Sequence, residues 1–297
     1  MPTITPTKPI PLRICIAGAT GYLGRHLVRE AHKRSHQVTA LVRAASKARF
    51  PDGVTIVQGE ATQPETLAPL QAALAGTDVM ISALGLTRQK DKLRYKDVDF
   101  QANMNLLDLA QAAGVPRFAY VHALVRGKPK SDLLAAKSQF VQALRAAQIE
   151  SHIFRPGGYF VDMEAVLDMA RSGRIWAVGD GSVRLNPIEG ADLAQTILDA
   201  LERGENDLEI GGPEVLSLDE IGALAFAALG QPVRITHLPR GLAVALLALL
   251  KPLTPRHIWG PFEFFLAASA QDAIGPAYGA KTLGAHFKAL AAKPEAK

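Results

Sequence analysis

The chain has 297 residues, 48% of them hydrophobic, a formal net charge of +5 and one cysteine. That length supports one large core or a core plus a smaller lobe, and a single cysteine excludes both an internal disulfide framework and a thiolate-rich structural zinc site. The basic residues are scattered without aromatic interleaving, which argues against a nucleic-acid surface, while the positive balance suits a small anionic ligand.

Residues 1–11 are rich in proline and lack the apolar segment of a secretory signal. Together with the lone cysteine, this predicts a cytoplasmic setting. The first element is a strand over 11–17, in which Cys15 reads as a small buried apolar residue rather than a nucleophile. It runs into Gly18-Ala19-Thr20-Gly21-Tyr22-Leu23-Gly24, and a helix is predicted from Tyr22 to Ser35. Three glycines where an apolar strand meets a helix form a socket for the diphosphate of a dinucleotide. Gly18 turns the chain, Gly21 lets the backbone approach phosphate, and Gly24 lets the helix pack on the strand. The helix N-terminus adds free N–H groups and the positive end of its dipole.

Strand two covers 37–42 and ends in Arg43-Ala44-Ala45-Ser46-Lys47. An NAD site usually places a carboxylate here to hold the ribose hydroxyls. Arg43, Ser46 and Lys47 instead offer two cations and a donor to a 2′-phosphate, so NADP(H) is favoured over NAD(H). Strand three is predicted over 54–57, with Glu60 after it, placed to reach the adenine amino group. A helix over 64–75 and a strand over 78–84 follow, and Ala83-Leu84-Gly85 should pass the nicotinamide half. A long helix over 95–113 precedes strand five, 118–124. His122, at the carboxyl end of that strand, is a candidate general acid near neutral pH. Lys137 lies in a helix over 132–147, and strand six, 151–155, ends in Pro156-Gly157-Gly158. Pro156 and Gly157 are expected beside the cofactor. Tyr159, opening a helix over 159–171, is a candidate proton donor or pocket wall. Strands apolar on both faces and alternating with helices predict an α/β fold, a Rossmann-like doubly wound parallel sheet.

The composition changes after residue 155. Short strands are predicted at 175–178, 183–188 and 208–210, and helices at 190–201 and 218–229. We expect a Rossmann domain over 1–155 and a smaller mixed α/β substrate lobe over 156–297, with some segments returning to the main sheet. Gly241–Leu250 is strongly apolar, and Pro261–Ala268 adds aromatics. The apolar run is too short to span a bilayer. A buried helix or the wall of a hydrophobic substrate site is expected there, with peripheral membrane contact as the alternative. The histidines form no metal-binding helix pair and no acidic cluster has calcium-loop spacing, so no metal is expected. Ser82 and Ser138 lack the nucleophile-elbow context of hydrolases.

In these motifs the chain resembles the short-chain dehydrogenase/reductase superfamily, in its atypical or extended NAD(P)-binding members, near the NmrA-like and isoflavone-reductase-like groups. Gly18–Gly24 resembles the superfamily's cofactor loop, Leu41-Val42-Arg43 its NADP-associated strand ending, and Ala83-Leu84-Gly85 the edge of its fourth strand. Val98–Leu107 resembles the helix carrying a structurally important Asn, here Asn103, which is counted with the cofactor site. Asn186–Ala194 resembles the segment that closes the substrate lobe. The resemblance implies an NAD(P)-dependent reductase or dehydrogenase with its substrate cleft between sheet and lobe. It also implies a Tyr four residues before a Lys, and a Ser at the end of strand five. Lys137 fits the Lys position, where it would hold the nicotinamide ribose. Leu133 stands where the Tyr is expected, and His122-Ala123 where the Ser is expected. A leucine transfers no proton, so the protonating group is sought in His122, Tyr159 or water.

The expectation is an NADP(H)-binding oxidoreductase of atypical mechanism, acting on a small apolar carbonyl, quinone-like or activated-alkene substrate. A non-enzymatic NADP(H)-sensing regulator or assembly factor is the alternative, because the cofactor loop is kept and the Tyr is not. A sugar-nucleotide epimerase is the third reading and suffers from the same missing Tyr.

Overall fold

The computed structural model describes residues 11–44, 46–86, 93–127, 131–254 and 270–293, with Trp259, Phe262, Glu263, Leu266 and Ala267 between the last two stretches. Strands β1 (Arg13–Ala17), β2 (Gln37–Val42), β3 (Thr55–Gln58), β4 (Val79–Ser82), β5 (Arg117–Val121) and β6 (Glu150–Pro156) come first. Two short strands follow, β7 (Ile175–Val178) and β8 (Arg184–Leu185), then β9 (Asp207–Ile210). The main sheet has seven strands in the order β3-β2-β1-β4-β5-β6-β9, and every neighbouring pair is parallel. The order reverses between β1 and β4, which opens a crevice at their carboxyl ends.

Alternation along β1 assigns its side chains to two cores. Ile14 and Ile16 face α1 (Tyr22–Lys33) and α6 (Gly190–Arg203), packing with Leu27, Val28, Leu193 and Ile197. Cys15 and Ala17 face α2 (Ala68–Ala73), α3 (Asn103–Ala112) and α4 (Asp132–Ala146), packing with Leu70, Leu106, Phe140 and Leu144. These two layers make the sheet doubly wound. Some of the helices start where polar side chains take up free backbone N–H groups. Ser131 accepts from Leu134 at the start of α4, and Glu189 accepts from Ala191 and Asp192 at the start of α6.

A third core joins α5 (Phe160–Arg171), α7 (Leu218–Ala228) and α9 (Leu283–Ala291) around Phe160, Leu167, Phe226 and Phe287. Two small sheets border it. β10 (Leu216–Ser217) pairs antiparallel with β8, and β11 (Ile235–Leu238) pairs parallel with β7. Between α7 and α9 lies α8 (Arg240–Leu250), which packs through Ala243 and Leu247 against Val178 and Leu266.

The fold class is the expected one, and four local expectations change. The helix expected over 64–75 is a 3₁₀ turn, Pro64–Thr66, followed by α2. Pro69 has no N–H to give to the preceding turn, so one continuous helix cannot form. The helix expected over 95–113 begins as a π-helical turn, Lys96–Ala102, before α3. The strand expected over 183–188 shrinks to Arg184–Leu185. The apolar run Gly241–Leu250 is a helix but is not buried: Leu242, Val244, Leu246, Leu249 and Leu250 are all exposed. Of the aromatic stretch Pro261–Ala268, only Phe262, Glu263, Leu266 and Ala267 fall within the described residues.

Candidate functional site

The glycine loop sits where β1 ends beside β4. Gly18 adopts φ +78, and a Cβ there would meet the Ala83 carbonyl at 2.8 Å. Only glycine satisfies both the positive φ and the close approach. Gly21 N–H donates to Gly18 O at 2.9 Å and closes the turn. A Cβ on Gly21 would meet only Gly18 O, at 3.2 Å, among the described residues. A Cβ on Gly24 would drive into the Gly18 carbonyl and Ala19, so α1 rests directly on the loop. No side chain caps the first turn of α1, which leaves its N–H groups for an anion. Ala19 and Leu23 turn their side chains into the core, so only their backbone faces the loop. Thr20 O accepts from Arg25 Nε at 2.8 Å. Loop and helix together make a cradle that fits a diphosphate.

Tyr22 reaches from this loop to the second half of the chain. Its hydroxyl oxygen accepts from Gly190 N–H at 2.9 Å, and its ring lies edge-on to Tyr159 at 5.9 Å. Burial pushes the Tyr22 hydroxyl up to about 12.

At the carboxyl end of β2, Arg43 and Lys47 are exposed. Arg43 O accepts from Ser46 N–H at 2.8 Å, and the Ser46 hydroxyl accepts from Ala48 N–H at 3.2 Å. Glu60 follows β3. Its carboxylate accepts from the Thr62 hydroxyl at 3.3 Å.

The end of β4 leads to the densest group of polar side chains. Ala83 N–H donates to Ala17 O at 3.0 Å, and Leu84 N–H reaches the Ser82 hydroxyl at 3.4 Å. Gly85 is exposed, and a Cβ there would touch both Asp99 and Lys137 at 3.4 Å. Lys137 Nζ lies 3.3 Å from Asp99 Oδ1, with side-chain exposures of 11% and 0%. It also donates to Val121 O at 3.3 Å and to the Tyr120 hydroxyl at 3.4 Å. Burial opposes the charge on Lys137, yet Tyr120, Asp99 and then Tyr159 outweigh it and hold its pKa above the ordinary lysine value. Burial pushes Asp99 up, while Lys137 and the Leu86 N–H pull it down. Tyr159 is likewise pushed up by burial and pulled down by Lys137. The group is a protonated lysine sunk beneath Gly85, with two tyrosines and one carboxylate around it.

Asn103 is fully buried behind this group. Its amide donates to Val98 O and Asp99 O at 3.1 and 3.3 Å, and its oxygen accepts from Ser82 at 2.5 Å. It braces the π-helical turn and sets the position of Asp99, so its part in the site is indirect. His122 is buried, with Nδ1 2.6 Å from Ala123 O and Nε2 3.2 Å from the Ser138 hydroxyl. Burial pushes its pKa down to about 4, which the Ala123 carbonyl opposes and Lys137, Arg155 and Arg145 reinforce. At neutral pH the ring is therefore neutral. It donates from Nδ1 and accepts at Nε2, which does not fit the expected general acid near neutrality. A cavity of about 220 Å³ opens beside it, lined by His122, Ser138, Gln142, Arg145 and Arg155 among others. A larger cavity of about 630 Å³ lies at the opposite, amino ends of β1 and β2, by Arg13 and Gln37.

Pro156 is buried and its carbonyl accepts from Leu124 N–H at 2.8 Å. Gly157 packs against Asn186 Oδ1 and Ala273 O, which a Cβ would meet at 3.2 and 3.1 Å. Its smallness is used by protein contacts. Asn186 is itself buried and bonds to Gly212 O and to both backbone groups of Gly275. His32 and His36 have i,i+4 spacing, but Ser35 at φ 66 ends the helix between them. Leu12 N–H and Glu202 take up the two ring nitrogens of His36.

The model of a family described as NAD(P)H-binding matches residues 18–204, from the first glycine of the loop to the end of α6. The chain belongs to this NAD(P)H-binding family. Among its relatives is the Photosystem II assembly factor Ycf39 of Synechocystis sp., 27% identical over 84% of this chain and 76% of that protein. The chloroplastic divinyl chlorophyllide a 8-vinyl-reductase of Zea mays is 29% identical over 81% of this chain, which spans 65% of the maize protein. Among solved structures, the NADPH complex of the quinone oxidoreductase QOR2 of Escherichia coli superposes with a TM-score of 0.74 at 20% identity, covering 93% of this chain and 99% of that one. The UDP-glucose 4-epimerase of Thermus thermophilus with NAD superposes with a TM-score of 0.64 at 18% identity, covering 77% and 86%. The two structural likenesses concern the fold, which serves both oxidoreductases and epimerases.

Within this NAD(P)H-binding chain, the fold brings the loop 18–24, the turn 83–85, Lys137 and Tyr159 to one crevice. Asp99 and Tyr120 are the members that sequence reading missed. Tyr120 sits in a run of strand residues and looks apolar. Asp99 lies 38 positions before Lys137, and only the pairing of helix and strand layers joins them. Its one sequence signal is a carboxylate four residues before Asn103, on the helix side that should be apolar.

Proposed function

We propose that the chain is an NADP(H)-dependent oxidoreductase acting on a small apolar carbonyl, quinone-like or activated-alkene substrate. The observation that carries this reading is the buried, protonated Lys137 held under Gly85 by Asp99, Tyr120 and Val121 O, with Tyr159 in its electrostatic reach. The backbone of 18–24 would cradle the diphosphate. Arg43, Ser46 and Lys47 would hold the 2′-phosphate, and Glu60 would serve the adenine. A nicotinamide held there would supply the hydride chemistry.

Lys137 would hold the ribose hydroxyls. Its two hydrogen bonds run to Val121 O and to the Tyr120 hydroxyl, beside the ion pair with Asp99, and the longer of the two, 3.4 Å to Tyr120, is the one that would yield to the ribose. Asp99 keeps the ammonium charged and aimed. Tyr159 supplies the proton that Leu133 cannot, because the Lys137 charge stabilises a developing phenolate. His122, neutral and bonded on both nitrogens, positions Ser138 and the β5 end. The maize relative is named for reduction of a vinyl group and the E. coli structural neighbour for quinone reduction, and both support an apolar, conjugated substrate.

A non-enzymatic assembly factor is the second reading, favoured by Leu133 and by the relative named as a Photosystem II assembly factor. Turnover separates the two. With NADPH and a panel of quinones and activated alkenes, oxidation should be observed. Tyr159→Phe should lower kcat about a hundredfold with KM little changed. NADP⁺ should bind more tightly than NAD⁺, and Arg43→Ala should remove about tenfold of that preference. Tight coenzyme binding with no turnover across the panel would select the assembly-factor reading.

A further inference from the structure

Helix α8 presents a leucine stripe with nothing packed on it among the described residues. Leu242, Leu246 and Leu249 follow i, i+4, i+7 spacing and are 49%, 42% and 63% exposed. They share one side of the helix. Leu250 and Leu253 extend the stripe, the latter 72% exposed. No charged residue interrupts it from Gly241 to Leu250. An apolar surface this continuous on a folded chain marks a binding surface.

The sequence around the stripe carries a basic excess. Across residues 221–254 the chain carries Arg234, Arg240 and Lys251 and no Asp or Glu. Arg240 and Lys251 bracket the helix, and Lys251 is charge-paired to Glu263 at 2.5 Å. Trp176 adds an aromatic at the edge. It is two residues from Val178, the residue packed under α8, and strand alternation puts both on the same face of β7. Trp176 is 50% exposed, with the Arg174 guanidinium 5.9 Å from its ring. A leucine stripe between cations, with a half-exposed Trp–Arg pair on the strand that α8 packs against, matches the composition of a lipid interface: acyl chains, then ring, then headgroup phosphate.

The geometry points to α8 and Trp176 as a peripheral docking surface for an anionic lipid bilayer. The helix is about 16 Å long, against a hydrocarbon core of about 30 Å, so it lies in the interface plane. A second copy of this chain is a poorer occupant. Two α8 helices stacked about a twofold axis bring apolar side chains and the flanking cations together, and the nearby carboxylate Glu263 is already paired to Lys251 within the chain, so it is not available to a partner's cation. The surface is independent of the coenzyme reading and survives if that reading fails.

The test is flotation of the full chain with vesicles of phosphatidylcholine plus phosphatidylglycerol and with vesicles of phosphatidylcholine alone. Partition to the anionic vesicles is expected, weakened by high salt and accompanied by a blue shift in tryptophan fluorescence that Trp176→Phe diminishes. Leu246→Asp with Leu249→Asp alters only exposed positions and should cut partition about tenfold or more, while the near-ultraviolet circular dichroism stays as in the parent. Absence of partition to either vesicle overturns the proposal. So does equal, salt-insensitive binding to both, and so does a dimer in sedimentation equilibrium that the double substitution dissolves while vesicles remain unbound.

Discussion

Lys137 and Asp99 show how one buried charge depends on another. Removing one partner of such a pair strands the other in a low-dielectric interior. Lys137→Met should therefore cost about 3 kcal/mol in denaturant unfolding, and adding Asp99→Leu should recover most of it. If the single substitution is neutral, the pair does not hold the site together. His122 gives a pH signature. Its folded pKa lies near 4, against an ordinary value of 6.5. Between those values the unfolded chain binds a proton that the folded chain refuses, so stability rises with pH across that window. The contribution is complete above pH 6.5, is lost as pH falls toward 4, and amounts to about 3 kcal/mol. His122→Asn should flatten the pH dependence of unfolding over this range, and an imidazole resonance titrating near 6.5 in the folded protein would contradict the burial argument. The sequence placed Lys137, His122 and Tyr159 near one another through strand ends and helix positions. It did not reveal Asp99 or the protonation of His122, because both depend on what packs above them.

At the scale of elements, the strand-loop-helix unit of 13–33 was legible because its glycines are fixed by backbone geometry and its strand is apolar on both faces. The π-helical turn was not, since it arises from the Asn103 amide taking two carbonyls of the preceding turn. The exposure of α8 was hidden as well: an apolar run reads as core until the number of neighbouring elements is known. The contact of α1 with α6 also matters for the site, because Gly190 faces Tyr22. A Cβ at Gly190 would meet the Tyr22 ring at 2.8 Å and His26 at 2.6 Å. Gly190→Ala should displace Tyr22, destabilise the fold by about 1–3 kcal/mol and weaken coenzyme binding. Unchanged coenzyme affinity in that variant would separate Tyr22 from the loop's function.

For the whole molecule, strand order and hand follow from parallel pairing with right-handed crossovers, which place the crevice at the β1–β4 reversal. That much was readable from the alternation of elements. The joining of β9 to β6 depends on long-range pairing, and the sequence could only indicate that later segments return to the sheet. Everything assigned to the crevice rests on the glycine cradle accepting a dinucleotide diphosphate. Isothermal titration of the full chain with NADP⁺ and NADPH tests this directly. Saturable binding at one site per chain is predicted, abolished by Gly18→Val, which opposes both the positive φ and the 2.8 Å approach to Ala83. Absence of saturable binding to NADP(H) and NAD(H) alike, or binding untouched by Gly18→Val, would contradict the account.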